Sequence, residues 1–154
     1  MTKTTEQTFK VNVTYDLTVT MQNLKDLFCT MGQGSNYWAT DVTIGNIEVE
    51  EDEEGVTYIK SGQDYEHQGC CIWLKELTLD SPITVEDIED DKHQFKVKDV
   101  ITTIEKIVSG KTNLNTDDCS TIFEAFKDND LGLIDASIAD SILQITTYNT
   151  LVYG

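Results

Sequence analysis

Residues 32–38, GQGSNYW, lie where the spacing of the apolar residues changes. Residues 21–31, just before them, carry apolar side chains at helical spacing, whereas Tyr37–Leu79 has the composition of β-strands. We therefore expect a helix that Gly32 ends, followed by a turn at Gly34. A strand then begins at Tyr37 and Trp38, with one of the two rings facing the core.

Strand-like patterns flank this junction. Before the helix, which Thr18 or Thr20 can cap, apolar and polar residues alternate over residues 9–19, and this predicts a half-buried strand. After the junction, residues 37–60 read as two strands joined by an acidic turn that ends at Gly55. Residues 69–79 read as a further strand, and residues 80–94 as a polar, acidic connection.

The last third of the chain has helical periodicity. One apolar stripe covers residues 97–108 and stops before Gly110, and a second covers residues 119–126 after a start at Asn115 or Thr116. A third begins at an N-capping Asp135, and the final NTLVYG is expected to return as an edge strand. These patterns predict a single α+β domain over residues 1–154, with an antiparallel, meander-like sheet and about four helices.

The charge balance restricts the possible partners. The chain has 28 acidic and 11 basic residues, a net charge of −17, and its basic residues are all lysine. Because arginine is the preferred bidentate partner of phosphate, and a strongly negative chain repels nucleic acid, we expect no direct binding to nucleic acid. The polar start MTKTTEQTF and the lack of a long apolar run predict neither a signal peptide nor a membrane helix.

Sequence motifs for metals and catalysis are incomplete. His67, Cys70 and Cys71 supply only half of a zinc pattern, and adjacent cysteines on a strand point to opposite faces. Residues 128–140 resemble a calcium loop, but the glycine falls at position 5 and Ala139 stands where glutamate is needed. We expect reduced thiols, no metal, no cofactor and no enzymatic activity.

The GQGSNYW stretch is the first candidate binding site. A glycine-rich loop can offer backbone N–H groups to a polar ligand, and an aromatic ring can stack on a base or anchor a partner protein. The alternative is a helix cap, a turn and core aromatics. The candidate residues are Gly34, Asn36, Tyr37 and Trp38.

Two acidic clusters form the second candidate site. Regularly spaced carboxylates can imitate the phosphates of a DNA duplex, although acidic turns of soluble proteins give the same pattern. The first cluster comprises Glu48, Glu50, Glu51, Asp52, Glu53 and Glu54, and the second comprises Glu86, Asp87, Glu89, Asp90 and Asp91.

GQGSNYW resembles a motif, roughly Ala-x-Glu-Gly-Gly-x-x-Tyr-Trp, found near the start of small uncharacterised bacteriophage proteins. Gly32 and Gln33 replace the glutamate and the first glycine of that motif, so no role of the glutamate carries over. These proteins also tend to end in a segment similar to the one here, matched at Ile134, Asp135, Ala136, Ala139, Asp140, Gln144, Val152, Tyr153 and Gly154. The resemblance implies a phage or prophage source and action in the cytoplasm of a bacterial host, without implying an activity.

Three functional hypotheses follow. In the first, the chain inhibits a host defence protein through its acidic surface, as a DNA mimic, an anti-CRISPR or an anti-restriction factor. In the second, an oligomer sequesters a nucleotide-type immune signal at the Tyr37–Trp38 loop. In the third, the chain is a phage accessory or structural protein that forms homo-oligomers.

Overall fold

The computed structural model describes residues 7–9 and 14–154, which form an α+β domain with four helices and seven strands. The helices are α1 (Met21–Gly34), α2 (Val97–Val108), α3 (Thr116–Lys127) and α4 (Ala136–Tyr148), with a 3₁₀ turn at Leu131–Leu133. The strands are β1 (Ala39–Ile44), β2 (Val49–Glu51), β3 (Thr57–Ile59), β4 (Tyr65–Gln68), β5 (Cys71–Leu74), β6 (Pro82–Asp87) and β7 (Lys92–Lys96). None of the helices described is long and apolar enough to cross a membrane.

Five strands form a mixed sheet in the order β4-β5-β1-β6-β7. The strands β1 and β5 are parallel, whereas the other three pairs are antiparallel. The predicted antiparallel meander is therefore only partly correct. The β2–β3 hairpin, which lies between β1 and β4 in the sequence, forms a separate two-stranded sheet. The chain returns to the main sheet at the edge strand β4, and β5 then runs beside β1 in the same direction.

The core lies between one face of this sheet and the helices. On β1, β5 and β6 the inward residues alternate with more exposed ones, as a sheet with one covered face requires. Helices α1 and α4 pack against each other, and α2 packs against α4. The largest fully buried side chains include Phe28 and Leu27 of α1, Ile44 of β1, Ile83 of β6, and Trp38.

Helix α1 begins where predicted but ends later. Thr20 caps it, because its hydroxyl accepts a hydrogen bond from Asn23 N and Asn23 Oδ1 accepts one from Thr20 N. The predicted end at Gly32 is wrong, and so is the turn at Gly34, since the helix includes both glycines. Their small size is what matters: a Cβ on Gly32 would lie 1.8 Å from the carbonyl oxygen of Gln68, and one on Gly34 would lie 2.0 Å from that of Ala136.

The strand predicted over residues 9–19 is wrong where it is described, because residues 14–20 have no regular secondary structure. Residues 10–13 of that prediction lie outside the described residues. The ring of Tyr15 packs edge-on against Phe123 of α3, and Leu17 and Val19 pack against the core. The alternating apolar residues of this segment thus contact helices rather than a neighbouring strand.

Residues 80–94 were predicted as a connection but contain the β6–β7 hairpin. Every second residue of β6 is buried, but only two of these, Ile83 and Val85, are apolar, and the third is Asp87. The alternation of apolar and polar residues that would predict a strand is therefore too short to recognise. The predicted C-terminal edge strand is also wrong, because residues 149–154 form no strand. Helices α2, α3 and α4 are confirmed, with Asn115 and Asp135 as the N-caps of α3 and α4.

Candidate functional site

The carboxylate of Asp140, on α4, is the centre of a buried polar network. Its Oδ1 accepts hydrogen bonds from Ser35 Oγ at 2.9 Å and from Trp38 Nε1 at 2.6 Å. Its Oδ2 accepts from Tyr37 OH at 2.7 Å and from Gln144 Nε2 at 2.8 Å. Asp140 is 5% exposed and Trp38 is fully buried. We call these five residues the Asp140 network; it joins residues 35–38 to helix α4.

Gln144 extends this network to the last residues of the chain. Its Oε1 accepts hydrogen bonds from the backbone N–H groups of Val152 and Tyr153, at 2.9 and 2.8 Å. The Tyr153 ring then stacks on Trp38, with ring centroids 5.4 Å apart and an angle of 11° between the planes. The amide of Gln144, one turn after Asp140 on α4, therefore holds the C-terminal segment over the indole of Trp38.

A second buried carboxylate, Asp87, lies at the end of β6. Its Oδ2 is 2.9 Å from His93 Nε2 and accepts a hydrogen bond from Tyr148 OH at 2.8 Å. Its Oδ1 accepts from the backbone N–H groups of Glu89 and Asp91, which closes the β6–β7 turn. The Tyr148 ring lies beside that of Trp38, at 5.6 Å between centroids, so aromatic rings connect the two carboxylates.

The pKa shifts match these contacts. Burial and the neighbouring Asp140 carboxylate raise the pKa of Tyr37 to about 12, and burial together with Asp87 raises that of Tyr148 further. The hydrogen bond from His93, followed by that from Tyr148, lowers the pKa of Asp87 to about 2. Both tyrosines therefore remain protonated donors, and Asp87 remains an ionised acceptor, over the physiological pH range.

This arrangement stabilises the fold. Both oxygens of Asp140 are occupied by donors, and no serine or cysteine nucleophile lies within hydrogen-bond distance of His93 in the described part of the chain. The four cysteines are free thiols, of which Cys71 is buried. The described residues contain no group of three or more histidine, cysteine or carboxylate side chains that can hold a metal ion.

The predicted ligand loop is largely packed away. Gly34 is part of α1 and Trp38 is in the core; of the four candidate residues, only Asn36 and the ring of Tyr37 are exposed. The backbone N–H of Ser35 donates to Met31 O, and the N–H of Trp38 donates to Ser35 O. Trp38 is therefore the ring of the pair that faces the core, as expected of one of the two, so this candidate residue offers no binding surface. The two N–H groups are already used within the fold.

The first acidic cluster lies on the β2–β3 hairpin, and all six of its acids are exposed. Asp52 Oδ1 accepts from the N–H groups of Glu54 and Val56, which fixes the turn. Among the described residues, the only ion pair of this cluster joins Glu48 to Lys60, at 3.6 Å. The hairpin also exposes apolar side chains, with exposed fractions of 58% for Val49, 56% for Val56 and 48% for Tyr58.

The second acidic cluster is divided between structure and surface. Asp87 is 2% exposed and stabilises the turn, so its prediction as a surface residue is wrong, whereas Glu89, Asp90 and Asp91 are exposed and Glu86 is half-buried. This turn is at the Ala39 end of β1, and the chain enters the hairpin from the Ile44 end. The two clusters thus extend from opposite ends of β1.

The partners of the aromatic pair are not among the residues that the sequence predicts as a site. Asp140 and Gln144 enter only through the resemblance, and His93 and Tyr148 belong to no motif. A polar residue on the inward stripe of a helix was the available signal, since Asp140 follows the buried Ala139 and Gln144 lies one helical turn further on. The chain matches no protein-family model, no curated protein and no solved structure.

Proposed function

We propose that this protein is a phage-encoded, non-enzymatic inhibitor that acts in the host bacterial cytoplasm. It binds a basic surface of a defence protein, in place of nucleic acid, through the β2–β3 hairpin. The observation that carries the proposal is the surface of this hairpin. Six carboxylates and three large apolar side chains are exposed on this hairpin, whose two strands pair only with each other among the described residues.

The hairpin combines the two properties that such an interface needs. Its carboxylates outnumber its single lysine, so the field around it attracts a basic partner and speeds the encounter. Its exposed Val49, Val56 and Tyr58 supply apolar area that can be buried once the partner has docked. Charge alone favours solubility, whereas charge with exposed apolar side chains on one element favours binding.

The base of the hairpin is fixed. Gln63 Nε2 donates to the carbonyl oxygens of Glu48 and Lys60, and Gln63 Oε1 accepts from Glu48 N. Lys60 N also donates to Glu48 O. A hairpin held in this way loses less conformational freedom on binding, which favours affinity.

Inhibition assays test this proposal. Purified bacterial nucleases, a CRISPR effector and a restriction endonuclease among them, are assayed for DNA cleavage with increasing amounts of the protein at low and high salt. The test variant replaces Glu50, Glu51, Glu53 and Glu54 by Gln. The control neutralises four acids elsewhere: Glu76, Glu105, Asp117 and Glu124.

We expect inhibition of at least one nuclease that weakens as salt rises, because the interaction is between opposite charges. The hairpin variant should inhibit that nuclease at least about tenfold more weakly than the parent, while the control variant should retain most of the inhibition. Inhibition that is insensitive to salt, or that both variants lose equally, contradicts the proposal. So does a panel in which no defence nuclease is inhibited.

A further inference from the structure

A cleft of about 410 Å³ lies between the β2–β3 hairpin and the outer face of the main sheet. Val49 and Ile59, paired across the hairpin, line one side of it. Ile72 of β5 and Tyr65 of β4 line the other side, and Asp41 of β1 adds a carboxylate. The cleft thus has largely apolar walls and one carboxylate; its other polar side chains are Thr43 and His67, and its lining contains no lysine.

The carboxylate of Asp41 faces a second carboxylate across the sheet. It is exposed, accepts a hydrogen bond from Thr43 Oγ1 at 2.8 Å, and lies directly opposite Glu86 on β6. Two like charges facing each other across a strand pair repel. Within residues 14–154, neither Asp41 nor Glu86 forms an ion pair with a lysine. A cation placed here would relieve this repulsion.

We propose that the cleft binds an arginine side chain from the basic surface of a protein partner. The inference rests on the proposed function, because the arginine pocket specifies how the hairpin and the sheet contact that partner. The aliphatic stem of the arginine packs between Val49, Ile59 and Ile72. Its guanidinium group forms a bidentate hydrogen-bonded pair with the Asp41 carboxylate.

The chemistry of the cleft favours this occupant over others. A wholly apolar ligand would desolvate the Asp41 carboxylate without giving it a partner. An anionic ligand, such as a nucleotide, would be repelled by Asp41 and by the acids of the hairpin. A guanidinium is weakly hydrated, planar and always charged, so it suits an apolar cleft with one carboxylate better than an ammonium does.

The test measures binding of one arginine to the ¹⁵N-labelled full chain by nuclear magnetic resonance. The probes are acetylated, amidated pentapeptides with a single central arginine, lysine or citrulline among glycines; citrulline keeps the shape of arginine without its charge. We expect the arginine peptide to shift the amide signals of Asp41, Thr43, Ile59 and Ile72 most, and the citrulline peptide to shift them much less.

Two variants of the cleft have matched controls. Asp41→Asn removes the charge but keeps an acceptor for Thr43, and Asp117→Asn is its control at an exposed site on α3. Val49→Trp fills the cleft without changing the charge, and Val152→Trp enlarges a similarly exposed valine outside both the cleft and the hairpin. Each cleft variant should weaken arginine binding about three- to fivefold or more, whereas each control should leave it unchanged.

Three results would overturn the inference: equal binding of the citrulline peptide, shifts spread evenly over all acidic segments, or no shift with the arginine peptide. Its failure can be told from failure of the proposed function. If the Asp41→Asn protein inhibits a nuclease as strongly as the parent does, and the hairpin variant does not inhibit it, only the cleft inference fails. If arginine binds in the cleft but no nuclease is inhibited, the proposed function fails and the cleft inference stands.

Discussion

The indole Nε1 of Trp38 donates a 2.6 Å hydrogen bond to the carboxylate of Asp140, which lies 102 positions later in the chain. A buried carboxylate is costly unless its oxygens are satisfied, and Asp140 receives four donors. The loop before β1 and the helix α4 are therefore fixed to each other by one charged group. The pair of aromatic residues at the end of α1 is explained by this contact rather than by a ligand.

Replacing Asp140 by Asn tests the importance of this charge. The amide offers an N–H₂ group where donors already point, so at least one buried donor loses its acceptor. We expect Asp140→Asn to lower the free energy of unfolding by about 3 kcal/mol, measured by urea denaturation. Asp117→Asn, at an exposed site, is the control and should change it by less than about 0.5 kcal/mol. An Asp140→Asn protein as stable as the control would contradict this role of the network.

Replacing Gly32 by Ala tests the close approach of α1 to the β4–β5 turn. Alanine favours a helix over glycine by about 1 kcal/mol, so propensity alone predicts a more stable protein. However, the new Cβ would lie 1.8 Å from the backbone oxygen of Gln68, which cannot rotate away. We expect a net destabilisation of about 1–3 kcal/mol in thermal or urea unfolding.

The neighbouring helical position supplies the control for Gly32→Ala. Gln33 is exposed, and Gln33→Ala should change stability by less than about 0.5 kcal/mol. If Gly32→Ala proved more stable than the parent, α1 would have room to move away from the turn.

Acid should remove the contribution of Asp87 to the stability of the fold. Its pKa falls from 3.8 to about 2 on folding, because His93 and Tyr148 hydrogen-bond to its carboxylate. Because the pKa of Asp87 is lower in the folded state, its ionised carboxylate stabilises the fold. This contribution is fully present above about pH 4 and is lost as the pH falls through about 2. The difference in unfolding free energy between the parent and Asp87→Asn should therefore be constant at neutral pH and shrink between pH 4 and 2.

Asp90→Asn, in the same turn, is the control for that experiment. Asp90 is exposed and has a φ of 62°, a backbone conformation that asparagine also tolerates. A difference between the parent and Asp87→Asn that stayed unchanged down to pH 2 would show that the carboxylate does not stabilise the fold through its charge.

The helices could be predicted because their signals are local. Thr20, Asn115 and Asp135 act as N-caps within the segments they begin, and the apolar stripe of α2 is regular. The β6–β7 hairpin could not be predicted, because the third buried residue of β6 is the charged Asp87 and the acids around it are typical of a loop. The segment at residues 14–19 alternates like a strand, but its apolar side chains pack on helices.

The candidate site was only partly predictable. The hairpin acids stand out in the sequence because they are contiguous, and the structure places them on one element. The role of Trp38 depends on residues 102 or more positions away, and no periodicity relates a loop to a helix at that distance. A single aspartate inside a helix is most often exposed, and the position of Asp140 on the inward stripe of α4 indicates at most that it is buried; it does not identify the four side chains that donate to it.

The Asp140 network also constrains when the fold can be completed during synthesis. The ribosome releases Ser35, Tyr37 and Trp38 about a hundred residues before Asp140, the residue that accepts their hydrogen bonds. Until Asp140 is made, the indole N–H of Trp38 has no acceptor in α4 and its ring is not covered by Tyr153. Closure comes only when α4 and Tyr153 have been made, and contacts of such long sequence separation slow folding. A nascent chain halted before residue 140 would expose Trp38, which would make it a substrate for chaperones and proteases.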